Sequence, residues 1–160
     1  MRLDDTLPQP PALEFCFEAR VSIDAPLVID PGPHALRRII PIKGGTVKGP
    51  RFEGRVLPGG ADWQYVRHDD VLALEAKYTL ESHDGVLVMV TNAGMRHGPP
   101  EVIAKLTRGE PVDPSAYYFR TVPSFEAPAA SAYAWMNKAI FLCTAQRQAN
   151  LAIVQFFRVV

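Results

Sequence analysis

The chain consists of short strand-forming stretches that turn residues interrupt at close intervals. In residues 13–22, LEFCFEARVS, Leu13, Phe15, Phe17, Ala19 and Val21 alternate with Glu14, Cys16, Glu18, Arg20 and Ser22, as in a half-exposed β-strand. Similar runs follow to the end of the chain, separated by DPGP, PGG, HDG and related clusters. Asp-Gly in HDG supplies the positive φ angles of a tight hairpin. About nine or ten such strands predict an all-β fold, an antiparallel barrel or sandwich.

One segment departs from this period. Residues 99–109, PPEVIAKLTRG, place apolar side chains at helical spacing between a proline start and a glycine stop, which predicts one short helix. Residues 1–12 are rich in proline and polar groups and are predicted to form a loose N-terminal tail. No linker interrupts residues 13–160, so we expect them to form a single domain.

Charge and hydropathy exclude several classes of partner. Seventeen basic and seventeen acidic residues give a formal net charge of zero, so no broad basic face is expected to bind nucleic acid or anionic lipid. No apolar run reaches the length of a signal peptide or membrane span, and we therefore expect a soluble, cytoplasmic protein. The two cysteines, Cys16 and Cys143, lie far apart in sequence and are expected to stay reduced.

Signatures of metal and cofactor sites are absent from the sequence. His34, His68, His83 and His97 show neither HxH nor HxxxH spacing, so no metal is expected. There is no GxSxG elbow and no phosphate-binding GxxxxGK[ST] loop, and the glycines of 44–49 lack a dinucleotide-site context. We expect no cofactor, and we expect glycines to mark bulges and corners of a curved sheet.

The stretch PGGADW places an acid where a strand begins. Pro58-Gly59-Gly60 can turn the chain over a barrel rim, and alternation then sends Asp62 and Trp63 to opposite faces. A carboxylate aimed into a barrel loses water and needs a cation or several donors. Arg96 and Arg120 are the candidate cations.

Several ordered motifs resemble one family. GGTVKGPRFEGRVLPGGADW, DGVLVMVTNAGMR, YYFRTVPSFEA and YAWMNKAIF together are similar to domain-of-unknown-function family 3237, also called uncharacterised protein family 0311. The resemblance spans about residues 13–160 and implies a small closed β-barrel, lipocalin-like in appearance, without an agreed reaction or cofactor. The positions that match its recurrent polar and aromatic set are Asp62, Trp63, Arg67, Tyr78, Asn92, Arg96, Arg120, Glu126, Tyr133 and Asn137. The family usually carries glycine at Asp70, so this turn is expected to hold Asp in a left-handed conformation.

Two functional hypotheses use this set. The first is a barrel that binds a small, partly apolar, oxygenated or anionic metabolite; its ligand-binding candidates are Trp63, Tyr78, Asn92, Arg96, Arg120, Trp135 and Asn137. The second is a cofactor-free isomerase, cyclase or lyase, with catalytic candidates Asp62, Glu126 and Tyr133. Both use an apolar pocket with an acid and an arginine, and we expect Asp62, Arg120, Glu126, Tyr133 and Asn137 to converge on one cavity inside the barrel. A buried carboxylate without close cation contact favours the enzyme, whereas two-point pairing favours binding or a structural role.

The outer wall suggests a partner. Val86 to Val90 and Ala139 to Cys143 are apolar on both alternating faces, whereas one face of a lone barrel wall meets water. We expect a symmetric homodimer, because closed two-fold assemblies are the commonest. A structural dimeric barrel without a ligand is therefore a third hypothesis.

Overall fold

The structure, a computed structural model, describes residues 7–160. It has ten strands and one α-helix within that range, which confirms the predicted all-β class. The elements are β1 Leu13–Ile23, β2 Leu27–Gly32, β3 Ala35–Lys48, β4 Gly54–Val56, β5 Ala61–Val66, β6 Leu72–Ser82, β7 Leu87–His97, α1 Pro100–Thr107, β8 Tyr118–Glu126, β9 Phe141–Arg147 and β10 Leu151–Val159. Short 3₁₀ turns occupy Pro114–Ala116 and Ala134–Lys138.

The sheet closes on itself as an antiparallel barrel. The first strand pairs with β10 on one side and with β3 on the other, while β4 and β5 share the position between β3 and β6. This gives eight wall positions, and β2 pairs only with β3. Closure depends on Gly45, where a Cβ would lie 2.1 Å from the Arg20 carbonyl oxygen across the β1–β3 contact. Only glycine lets these two backbones approach so closely.

The alternation predicted for β1 is wrong in its first half. Phe17, Ala19 and Val21 face the core as predicted, but Leu13 and Phe15 are exposed and Cys16 is fully buried. The register with β10 shifts between Phe15 and Phe17, so an extra residue in β1 reverses the faces before it.

The barrel interior has two different halves. One half is a buried aromatic core in which the ring centroids of Phe17 and Phe156 lie 4.5 Å apart and those of Phe125 and Phe141 lie 4.8 Å apart. The opposite end is covered by α1, whose Leu106 packs with Leu74, Tyr117 and Phe119. The space between these two clusters remains for polar side chains.

The helix lies where the sequence predicts it. Pro100 occupies the first turn and Gly109 follows the C-cap at φ +74°, a conformation that glycine adopts without strain. No helix within residues 7–160 is long and apolar enough to cross a membrane.

Candidate functional site

A small cavity lies inside the barrel between the aromatic core and α1. Its volume is about 70 Å³. Its walls combine an apolar girdle with polar side chains that five different strands direct inward. The polar lining residues are Asp62 and Gln64 from β5, Tyr78 from β6, Asn92 and Arg96 from β7, Thr121 from β8 and Arg147 from β9.

Asp62 is the acidic residue of this lining. It enters from β5 beside Ile40 of β3 and Ala76 of β6. Its Oδ2 accepts a hydrogen bond of 2.7 Å from Gln64 Nε2, while its Oδ1 is buried and has no hydrogen-bond partner within residues 7–160. No Lys, Arg or His nitrogen of that range lies within 4.0 Å of the carboxylate. The predicted pairing with Arg96 is therefore not a direct ion pair.

The surroundings of Asp62 favour its protonated form. Burial away from water raises the pKa of Asp62 above its ordinary 3.8, and this effect exceeds the opposing hydrogen bond from Gln64 and the attraction of Arg96, Arg147 and Arg38. The side chain retains some surface exposure although its Oδ1 has almost none. Asp62 lines the cavity, and its buried Oδ1 is the carboxylate oxygen without a hydrogen-bond partner among the described residues.

Three arginines, Arg38, Arg96 and Arg147, form a collar at the cavity entrance. Desolvation, together with repulsion from Arg38 and Arg147, lowers the pKa of Arg96 to about 10. Desolvation likewise lowers the pKa of Arg38 and of Arg147. Buried Arg38 Nε, Arg96 Nε and Arg147 Nη1 have no hydrogen-bond partner among the described residues. Such a cluster of like charges is costly unless an anion joins it.

Outside the collar the cavity continues into an open cleft. The cleft has a volume of about 810 Å³ and shares Arg96 and Arg147 with the inner cavity, while Arg38 lines the cleft alone. The end of α1 contributes Thr107 and Arg108 to its wall. A ligand can therefore enter from solvent and meet the collar before it reaches Asp62.

A group of uncharged polar side chains completes the interior. Gln64, Asn92 and Thr121 are 6%, 4% and 3% exposed. Their atoms Gln64 Oε1, Asn92 Oδ1 and Thr121 Oγ1 are buried without hydrogen-bond partners in residues 7–160. Burial raises the pKa of the Tyr78 hydroxyl, beside which the Asn92 amide lies, so the phenol stays neutral. Unpartnered buried polar atoms are uncommon in folded proteins and indicate a place for a polar ligand.

The structure brings four of the sequence-predicted residues together. Asp62, Tyr78, Asn92 and Arg96 all line the cavity. Trp63, the neighbour of Asp62, points to the outside and is 45% exposed, as alternation requires. It is therefore not a ligand contact inside the barrel.

The predicted convergence of Asp62 with Arg120, Glu126, Tyr133 and Asn137 is wrong. Arg120 and Glu126 occupy the exposed alternate positions of β8, whose Phe119, Thr121, Pro123 and Phe125 point inward. Their side chains thus lie on the outer wall.

The segment 133–137 is not extended, so its side chains do not share a face as the sequence predicted. The Tyr133 hydroxyl donates a 2.9 Å hydrogen bond to Asp84 and its ring packs on Phe52 in the aromatic half of the barrel. Trp135 stacks under Arg51, whose guanidinium lies 4.3 Å from the ring centroid. The Asn137 side chain bonds both backbone groups of Ala127, at 2.7 and 2.8 Å. All three contacts are structural.

Two further expectations concern metals and thiols. Within residues 7–160 no three His, Cys, Asp or Glu side chains come close enough together to hold a metal ion. Cys16 and Cys143 are both free and buried, and burial raises the pKa of Cys143 to about 12.

Arg67, also in the predicted set, lies in an exposed turn and pairs with Asp69 at 2.6 Å.

Residues 11–159 match the family described as Protein of unknown function (DUF3237). The chain belongs to this family. A UPF0311 protein of Rhodopseudomonas palustris is 48% identical over 124 residues, which make up 78% of this chain and 80% of that protein. A solved structure of a conserved protein of unknown function from that species is 40% identical, with a TM-score of 0.88 over 96% of this chain and all of that one. A solved Clostridium acetobutylicum protein of unknown function gives 36% identity and a TM-score of 0.86 over 96% and 100% of the two chains. The resemblance inferred from the motifs is thereby confirmed.

The chain is more distantly similar to proteins of a fungus. A hydroalkoxylation enzyme of Penicillium herquei is 29% identical over 86 residues, 54% of this chain and 57% of that enzyme. A solved structure of an enzyme from Penicillium herquei has a TM-score of 0.71 over 97% of this chain and 98% of that one at 20% identity, and this likeness concerns the fold alone.

Four lining residues of this DUF3237 chain were missed by sequence reasoning. Gln64, Thr121 and Arg147 line the inner cavity, and Arg38 lines the adjoining cleft. The alternation of inward and outward side chains along a strand could have predicted two of them. Gln64 lies two positions after Asp62, and Arg147 ends the inward series Phe141, Cys143, Ala145.

Proposed function

We propose that this chain is a cofactor-free proton-transfer enzyme that acts on a small, partly apolar, oxygenated anion bound in the barrel. The observation that carries the proposal is the Asp62 carboxylate, which lies in the cavity without a cation within 4.0 Å among residues 7–160. A carboxylate that only fixed strand register would gain most from two-point pairing with an arginine. Burial without such pairing is typical of groups that do acid-base chemistry.

The local hydrogen bonds give Asp62 a defined role. Because Gln64 donates to Oδ2, the carboxyl group is held in one orientation and Oδ1 is left to exchange a proton with a ligand. The raised pKa of Asp62 lets it hold that proton at a higher pH than an exposed carboxyl would. Donation from Oδ1 to one substrate atom and recovery of a proton from another isomerises the substrate without net consumption of a reagent.

The arginine collar supplies the second part of the proposal. Arg38, Arg96 and Arg147 have unpartnered N–H groups where the inner cavity meets the outer cleft. A bound anion would satisfy these donors and offset their mutual repulsion. The same positive field stabilises negative charge that develops on a substrate during proton transfer.

The fungal relative supports one reaction type. Hydroalkoxylation adds an O–H group across a carbon–carbon double bond, so a proton goes to one alkene carbon, the hydroxyl oxygen bonds to the other, and the hydroxyl proton is released. A carboxyl group such as Asp62 can supply the first proton and accept the last. The 29% identity over 86 residues makes this the first reaction to test.

The test uses alkenyl phenols, with and without a carboxylate, incubated with the protein in D₂O. Ring closure keeps the substrate formula but adds one deuterium on carbon, which mass spectrometry detects after separation. We expect closure by the wild type and by Glu126→Gln, which changes an exposed carboxylate on the outer wall. Asp62→Asn should lower the rate by at least about 100-fold, the usual range for loss of a general acid.

Two outcomes contradict the proposal. Closure by Asp62→Asn at the wild-type rate would remove Asp62 from the chemistry. Binding of the phenols without conversion would instead favour a barrel that only binds an oxygenated or anionic metabolite, because the collar and cavity serve that function equally well.

A further inference from the structure

The unpartnered polar atoms of the barrel are divided by type between mouth and interior. All three arginines, Arg38, Arg96 and Arg147, line the outer cleft, and Arg96 and Arg147 also line the inner cavity. The side chains of Gln64 and Asn92 line the inner cavity and not the outer cleft. A ligand that reaches Asp62 therefore presents one end to arginines and the other to side-chain amides.

The inner amides offer hydrogen-bond acceptors. Gln64 directs its Nε2 to Asp62, which leaves its Oε1 buried and unpartnered, and Asn92 Oδ1 is in the same state. Both residues are more than nine-tenths buried, at 6% and 4% exposure. Amide oxygens only accept, so the ligand group that faces them has to donate. Nearby Thr121 Oγ1, also buried and unpartnered, can either donate or accept.

The collar offers hydrogen-bond donors and positive charge. A guanidinium has no acceptor and keeps its proton, so the unpartnered Arg38 Nε, Arg96 Nε and Arg147 Nη1 call for an acceptor with negative charge. An ammonium group would be repelled at this position. The inner donor group of the ligand is consequently uncharged, because a cation would have to pass the collar to reach the amides.

We infer that the substrate of the proposed enzyme is a hydroxy acid, bound with its carboxylate at the Arg38, Arg96 and Arg147 collar and its hydroxyl group against Gln64 and Asn92. That this ligand is a substrate rests on the proposed function, whereas its binding orientation follows from the unpartnered atoms of the site. The apolar girdle that includes Ile40, Ile42, Leu74 and Phe119 accommodates the carbon skeleton between the two polar ends.

Calorimetric titration of the full chain tests the inference with matched probes. The probes are 4-hydroxybenzoate, 4-hydroxyphenylacetate and 4-hydroxycinnamate, which differ in span, each with its methyl isostere in place of the hydroxyl group, and 4-methylphenol, which lacks the carboxylate. At least one hydroxy acid should bind the wild type about tenfold or more tightly than its methyl isostere, because the isostere leaves buried acceptors unpaired.

Two substitutions separate the two ends of the site. Asn92→Leu replaces an acceptor by an apolar side chain of similar size and should abolish the preference for hydroxyl over methyl while the carboxylate still binds. Arg147→Met should weaken binding of the hydroxy acids and of their methyl isosteres by about tenfold or more and leave the affinity for 4-methylphenol unchanged. Arg120→Met, an arginine of the outer wall, is the matched control and should change neither. If Asn92→Leu does not fold, Gln64→Met tests the same acceptor group.

Equal affinity of the wild type for every hydroxy acid and its methyl isostere overturns the inference. So does a failure of all three hydroxy acids to bind, or an Arg147→Met variant that binds them as tightly as Arg120→Met does. The titration also distinguishes this inference from the proposed function. Asp62→Asn keeps the collar and the amides. If the wild type and Asp62→Asn both prefer the hydroxy acids over their methyl isosteres but neither converts a substrate, the proposed enzyme is refuted and the binding orientation stands.

Discussion

Asp62→Asn should make the protein more stable at neutral pH although it removes the proposed catalytic group. In the wild type, the buried Oδ1 has no hydrogen-bond partner within residues 7–160, and desolvation outweighs every favourable contact of the ionised carboxylate. Asparagine has the same shape and carries no charge. The variant therefore resembles the protonated form of Asp62, which the fold prefers.

The size of the change in the free energy of unfolding follows from the contacts that Asp62→Asn alters. An unsatisfied buried polar atom costs about 1–3 kcal/mol and more when it is charged, so asparagine, which still leaves one polar atom unpaired, removes only the additional cost of the charge. Against this, the bond from Gln64 Nε2 to a neutral amide oxygen is about 1 kcal/mol weaker than the bond to a carboxylate. We expect a net gain of about 1–2 kcal/mol in the free energy of unfolding. For a chain of this size each kcal/mol raises Tm by roughly 2–4 °C.

The gain should depend on pH in a defined direction. The pKa of Asp62 is raised in the folded state, so the folded protein retains a proton that the unfolded chain loses above pH 4 or so. The contribution of Asp62 to the free energy of unfolding of the wild type is fully present below that pH and is lost as the pH rises through the pKa of the folded state. The difference in Tm between Asp62→Asn and wild type should thus be near zero in acid and open as the pH is raised to 8.

Thermal melts of wild type, Asp62→Asn and Glu126→Gln across this pH range provide the measurement. Glu126 is an exposed carboxylate of β8, so its substitution controls for the loss of one negative charge. A lower Tm for Asp62→Asn at pH 7 would mean that Arg38, Arg96 and Arg147 stabilise the carboxylate more than burial costs. Asp62 would then be a structural counter-ion and not an acid-base catalyst.

Much of the fold is readable in the sequence because its signals are local. Alternation, turn residues and the capped segment 99–109 suffice for the number of strands and for the helix. The bulge in β1 is not local, since it depends on how Phe15 and Phe17 pair with β10. The 3₁₀ turn at Ala134–Lys138 likewise replaces the extended segment that YAWMN suggested, and its Asn137 is held by the distant backbone of Ala127.

The site was predicted in part, for a related reason. Pro-Gly-Gly at the start of β5 and alternation predict that Asp62 and Trp63 lie on opposite faces, and Asp62 is the one that lines the cavity. Arg120 lies on the outer wall because its neighbours Phe119 and Thr121 face inward, and its charge alone does not reveal that side. The collar could not be assembled from sequence, since Arg38 and Arg147 lie more than 100 positions apart and meet only when the barrel closes.

Two more predictions concern the turns and the outer wall. Asp70 and Ala35 have positive φ angles of 65° and 69°, which confirms the left-handed turn expected at Asp70, and glycine at either position should raise the free energy of unfolding by about 0.5–1 kcal/mol; a lower Tm for Asp70→Gly would mean that its side chain stabilises the turn. We also propose that the outer faces of β7, β8 and β9 form a symmetric dimer interface, because Met89, Val122 and Leu142 there are 43%, 55% and 40% exposed. Light scattering at micromolar concentration should then give twice the chain mass of 17.7 kDa. Val122→Lys would place a charge next to its own two-fold copy if the axis passes near β8, and should convert the dimer to a folded monomer with an unchanged far-ultraviolet spectrum. A wild-type mass of one chain refutes the proposal outright, and a dimer that survives Val122→Lys moves the interface to another part of the wall.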